Sequence, residues 1–250
     1  MRTMLLKFTM IAGLFCSLVA CGRGSIDSSF LKEDAAGNNN IYRSYSVDYN
    51  EQKNQAMATA TFSVGSSWGT TVRLQQPASL SVNGSPAREN TDVFDGGEIS
   101  AFYIGFIFPP AWFLMGTTGT TYHKTVAGTS AAFEFVDTSG SHFTDVAQVP
   151  ALRLSAPQFT SMSGAALQIY GGTSSDTIRV RISQYGISKT VYGTGSSVAI
   201  SSNDLTSFQP GIVDINVEVE SSQAIRADSE SLGGDIKTTY SFATRRIQLR

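Results

Sequence analysis

From Asn40 onward, apolar residues recur at every second position. Ala56, Ala58, Ala60, Phe62 and Val64 alternate with Met57, Thr59, Thr61 and Ser63, which predicts a strand with one buried and one largely polar face. Val72 and Leu74 begin a second run. Leu80 and Val82 lead into Asn83-Gly84, the dipeptide that best tolerates the positive φ angles of a tight hairpin turn. Phe133 and Phe135, the turn DTSGS at 137 to 141, and a return through Phe143 and Val146 predict another hairpin, ending near Pro150.

The second half has the same texture. Leu152 and Leu154, Leu167 and Ile169, Ile178 to Ile182, Val191, and Val198 with Ile200 form short alternating runs between Gly and Ser turns. The clearest is Val213, Ile215, Val217 and Val219, interleaved with Asp214, Asn216, Glu218 and Glu220; Tyr240 with Phe242 and Ile247 with Leu249 close the series. No segment keeps a helical period over three turns. Evenly spaced strands with polar turns predict an all-β protein of antiparallel sandwiches. Six or seven strands in each of 41–150 and 151–250 resemble tandem immunoglobulin-like modules of bacterial surface lipoproteins. That resemblance implies two tandem antiparallel β-sandwich domains and transfers no binding site. The Cys, Trp, Cys core signature is absent, and Trp68 and Trp112 fall in expected loops.

The first twenty residues are different. Arg2 and Lys7 precede an apolar run from Phe8 to Ala20 without an acidic residue, which is the anatomy of an export signal and too short for a membrane span. Leu18-Val19-Ala20-Cys21 resembles the lipobox of bacterial lipoproteins. The resemblance implies cleavage before Cys21, a diacylglycerol on its thiol and an acylated amino group. Several chains are needed because each buried methylene contributes only about 0.8 kcal/mol. Gly22 stands where an aspartate is associated with inner-membrane retention, so the expected location is the outer membrane, lipid-anchored. The alternative is an ordinary secretory signal with Cys21 incidental. Residues 22 to 40 are rich in Gly, Ser, Asn and Asp and read with Cys21 as a flexible tether, with a root-mean-square reach of about 25 Å.

Cysteine and charge narrow the partners. Cys16 lies inside the signal, so the mature chain has no disulfide and depends on its core. Without Arg2 and Lys7 it carries 16 basic and 20 acidic residues, a net of −4. Nucleic acid calls for a basic face and is not expected. The expected partners are the membrane, through the N-terminal lipid, and another envelope or surface protein, with no cofactor and no small-molecule substrate.

One stretch departs from this hydroxyl-rich background: AFYIGFIFPPAWFLMG, residues 101 to 116, without a charge. It is shorter than the roughly twenty residues of a spanning helix, and Pro109-Pro110 breaks it. It reads as a bent aromatic arm on the first sandwich. Phe106, Ile107, Phe108, Trp112, Phe113 and Leu114 are the candidate contact residues. Three fates are open: core of the domain or its neighbour, a wedge in lipid, or an anchor for a protein. An exposed apolar patch of this size marks a functional surface.

Reactive constellations are weaker. Gly65-Ser66-Ser67-Trp68-Gly69 matches G-x-S-x-G with Ser67 as nucleophile, but a strand-like TTVRL follows where the elbow needs a helix. His123 and His142 lack metal-ligand spacing. Asp137-Thr138-Ser139-Gly140 lacks the remaining carboxylates of a calcium loop. Asp214, Glu218 and Glu220 share a strand face, with Arg179 and Arg181 on another strand as possible cross-strand partners. Gly193-Thr194-Gly195 lacks the third glycine and helix of a dinucleotide fingerprint. The expectation is a binding or adhesion module of the cell envelope, acting through the aromatic stretch and not by catalysis. The alternatives are a structural spacer or envelope-assembly lipoprotein with the stretch buried at the domain junction and, last, a serine hydrolase.

Overall fold

The computed structural model describes residues 25–28, 41–90, 120–155, 159–160, 162–226 and 232–250. Cys21 and its signal, and the whole stretch 101–116 with Phe106, Ile107, Phe108, Trp112, Phe113 and Leu114, lie outside the described residues.

In chain order the strands are β1 (Ile26–Asp27), β2 (Ile41–Asn50), β3 (Gln55–Val64), β4 (Val72–Arg73), β5 (Ser79–Val82), β6 (Ser85–Pro86), β7 (Arg88–Asn90), β8 (Thr121–Ala127), β9 (Ser130–Val136) and β10 (His142–Gln148). The second half holds β11 (Arg153–Ser155), β12 (Phe159–Thr160), β13 (Gly164–Tyr170), β14 (Thr177–Gln184), β15 (Ile187–Thr194), β16 (Ser197–Ser201), one short helix α1 (Ser202–Leu205), β17 (Gly211–Ile225), β18 (Gly234–Ser241) and β19 (Arg245–Leu249). The protein is all-β, as the alternation predicts. Asn83 and Gly84 both take positive φ, 50° and 69°, which matches the twist of the hairpin that joins β5 to β6.

In the first half β7-β8-β3-β2 faces a second sheet, β10-β9-β5-β6. The alternating residues fill the space between them: Tyr45 stacks on Phe133 with centroids 4.3 Å apart, and Phe62 meets Phe135 at 4.6 Å. Each fully buried aromatic of this kind contributes roughly 1.5 to 3 kcal/mol of transfer energy. In the second half the sheet β11-β13-β16 covers β14 and β17, with Leu167, Ile169, Val198 and Ile200 opposite Ile178, Val180, Ile182 and Val217 in one core.

The two halves share a sheet. The long strand β17 carries β14 on one side; on the other it pairs first with β19 and then with β18. The free edge of β18 pairs in parallel with β2, from Gly234 opposite Arg43 to Ser241 opposite Asn50. Gly234 belongs there for lack of a side chain, since a Cβ would lie 1.8 Å from the Arg43 carbonyl oxygen. Tyr49 against Tyr240, centroids 5.1 Å apart, and Ser44 Oγ donating to Asp235 at 3.2 Å extend the contact beyond the backbone. A continuous sheet therefore crosses residue 150.

Candidate functional site

The end of the first sandwich that receives the N-terminal segment is built from four pieces. Within the stretch read as a tether, β1 pairs in parallel with β4, Ile26 opposite Val72. Ser25 Oγ lies 2.9 Å from Thr71 Oγ1 and accepts the Thr120 N–H at 2.8 Å and the Thr120 hydroxyl. Buried Ser28 accepts the Gln75 N–H at 2.8 Å and donates to the Gln75 carbonyl. The Leu74 N–H donates to the Tyr122 hydroxyl at 2.6 Å. Burial pushes that phenol up to about 12, against the pull of the Leu74 bond. Arg73 pairs with Glu89 at 2.7 Å. Ile41 opposite Val64 and Thr121 opposite Thr61 place all of this at one end of β2, β3 and β8. The chain leaves for residues 91–119 from Asn90, opposite Thr121, and returns at Thr120.

The turn from β3 toward β4 closes the same end. The Val64 N–H bonds the Thr70 carbonyl at 3.0 Å, and the Gly69 N–H bonds that of Ser66 at 2.9 Å. A Cβ on Gly69 would sit 1.8 Å from the Val64 oxygen, so the turn requires glycine there. Ser67 is exposed on it, and the chain passes into a strand, without the helix that a nucleophile elbow needs. Trp68, next to it, is 89% exposed.

The other sequence candidates are dispersed. His123, opposite Thr59 and Arg88, and His142, opposite Val136, belong to different sheets. No group of three or more metal-ligating His, Cys, Asp or Glu occurs among the described residues. Asp137 Oδ1 accepts the N–H groups of Ser139 and Ser141, both at 2.9 Å, and the Ser139 hydroxyl at 2.6 Å; the carboxylate organises its own turn. The strands bearing the acidic face do neighbour basic ones. Arg179 donates to Glu218 from Nε at 2.9 Å, Lys237 meets Glu220 at 2.7 Å and Arg246 meets Asp214 at 3.4 Å. Gly193 lies within β15, and Gly195 makes a turn into β16.

Three features escaped sequence reasoning. Arg43 is buried between the sheets, 3.6 Å from Asp145 and with its guanidinium 4.4 Å from the centre of the Phe143 ring; its Nε and Nη1 have no hydrogen-bond partner among the described residues. Tyr45 beside it is pushed up by burial, with Arg43 pulling down and Asp145 pushing up. The readable signal was an arginine on the same alternation as Ile41, Tyr45, Val47 and Tyr49. Second, an open cleft of about 280 Å³ lies where the halves meet, lined by Gln148, Pro150, Thr173, Asp176, Ser221 and Thr238 among others. Burial raises the Asp176 pKa, but hydrogen bonds from Ser221 and from the Thr173 hydroxyl and N–H outweigh it and leave the carboxyl below its usual range. All three bonds come from the chain itself, so Asp176 fastens the β13–β14 loop to β17. Third, exposed Tyr185, Ile187 and Ile212 gather at the far end of the second half, where β14 turns into β15.

No family model matches the chain, and no curated protein matches it. One solved structure that aligns is a chain of a cytokine receptor complex: 13% identity, 82% of this chain and 95% of that one, TM-score 0.29. Likeness at that level carries no argument about fold or function.

Proposed function

We propose that this protein is a lipid-anchored envelope module of the outer membrane, held by Cys21, that binds through the aromatic stretch 101–116. The observation that carries the reading is the bonding of Ser25 to both Thr71 and Thr120. Ser25 lies four residues after Cys21, and Thr120 four residues after Gly116. On this reading the chain arriving from the lipid anchor and the chain returning from the apolar stretch enter the first sandwich at one corner. Both roots of residues 91–119, Asn90 and Thr120, adjoin β8, which β3 and β2 separate from β18. That separation favours a contact role over burial against the second half. The sheet order β11-β13-β16 opposite β15-β14-β17-β19 supports an immunoglobulin-like second half, since it follows the A-B-E and C′-C-F-G arrangement of that class. We extend the assignment to the first half on its two facing four-stranded sheets.

Cys21→Ala is expected to move the protein from the membrane fraction to the soluble one; unchanged membrane association refutes the anchor. With Trp68→Phe as background, Trp112 emission is expected to be red-shifted in the isolated chain and to respond to vesicles or to an envelope extract. A blue-shifted emission that neither changes would favour the spacer.

A further inference from the structure

We infer that the Gly65–Gly69 turn is a membrane-contacting tip, with the Trp68 indole seated at the headgroup level of the bilayer that holds the lipid anchor. The inference rests on the lipid-anchor reading of Cys21. Trp68 is 89% exposed, which leaves most of its ring uncovered among the described residues. Indole favours the membrane–water interface, where the ring meets apolar chain and the N–H stays wet. The tip is held in shape: Gly65 takes φ +79°, Gly69 admits no Cβ, and Ser63 Oγ donates to the Ser66 carbonyl at 2.6 Å.

Its position selects lipid over a protein partner. Cys21 is four residues from Ser25, a span of at most about 14 Å for extended chain. Ser25 is bonded directly to Thr71, and Trp68 is three residues from Thr71, at most about 11 Å. The acyl-bearing residue thus lies within reach of the corner that carries Trp68, and an inserted anchor holds that corner within about 25 Å of the headgroups. Leu232, also exposed, stands at the same end, two residues before the Gly234–Arg43 pair. The turn that resembles a nucleophile elbow therefore has a different use: its serines and glycines present the tryptophan between them.

The test uses the full lipidated chain with Trp112→Phe, so that Trp68 is the sole tryptophan, reconstituted in phosphatidylethanolamine–phosphatidylglycerol vesicles with or without lipid brominated near the headgroup end of its chains. Flotation and the mass of the N-terminal peptide report the anchor independently. The expected result is an acylated, floating protein whose Trp68 emission shifts to the blue on reconstitution and loses most of its intensity with the brominated lipid. An acylated, floating protein with unshifted, unquenched Trp68 overturns the inference and leaves the anchor standing. A protein that is neither acylated nor floating overturns the anchor, and this inference with it.

Discussion

The buried pair Arg43–Asp145 gives a quantitative test of how the first sandwich is held. The side chains are 4% and 15% exposed and 3.6 Å apart, so at an effective dielectric of about 20 their gross attraction is roughly 4 to 5 kcal/mol. Against it stands a desolvation cost of several kcal/mol per ion. The guanidinium recovers only part of that through Phe143, a contact worth about 1 kcal/mol. The pair as a whole should then be close to neutral, while breaking it should be costly. Asp145→Leu, which strands the arginine, is expected to destabilise by about 3 to 5 kcal/mol. Arg43→Met should cost less, about 2 to 3 kcal/mol, because the remaining carboxylate is nearer solvent. Arg43→Met combined with Asp145→Leu should return to within about 1 kcal/mol of the parent, or exceed it. Urea unfolding followed by circular dichroism gives all four corners of the cycle. A double variant as unstable as the sum of its singles would refute the reasoning, because the two charges would then not be each other's main compensation.

Two further predictions concern the junction. Gly234→Ala puts a Cβ 1.8 Å from the Arg43 oxygen and should cost about 2 to 3 kcal/mol, with faster hydrogen exchange at the Arg43 amide, which bonds Gly233 at 3.2 Å; an unchanged urea midpoint would show that β18 does not depend on this close approach. The lowered pKa of Asp176 means that its contribution is complete above the ordinary carboxyl pKa near 3.9 and fades as pH falls through the lower folded value. Asp176→Ala should therefore lose about 3 kcal/mol at pH 7, and its deficit should narrow on acidification below pH 4; a deficit independent of pH would assign the loss to packing instead.

The strands were legible because a half-buried sheet imposes a period of two, which Val213 to Val219 obey throughout and Ala56 to Phe62 obey in burial, until buried Ser63 and half-buried Val64 break it at the strand end. The Asn83-Gly84 turn was legible because its backbone demands those residues. Pairing partners were not. Nothing local in GDIKTTYS distinguishes a strand that returns on its neighbour from one that runs parallel to β2, as it does with Asp235 and Ser44 191 residues apart. Ser25–Ser28 is polar, and its docking depends on Thr71, Gln75 and Thr120, which a single stretch does not reveal. Among the candidate residues, the polar faces made Arg179 and Arg181 candidates for the acids at 214, 218 and 220, but the Arg179–Glu218 pair follows only from the β14–β17 register, which sets Arg181 opposite Asn216 instead. Trp68 drew notice only as a loop residue, because its exposure and its nearness to Ser25 are properties of the fold.

The parallel union of β18 with β2 also imposes an order on folding. A chain that emerges from its N-terminus first presents β2 and β3 long before β18 exists, so the ten-residue edge of β2 waits with its backbone groups unpaired, the state in which strands recruit foreign ones. Contacts of such long sequence separation close late and slowly. Arg43 on that edge, inward-facing and charged, makes the waiting strand a poor template for another chain, and the same residue that burdens the finished core protects the unfinished one.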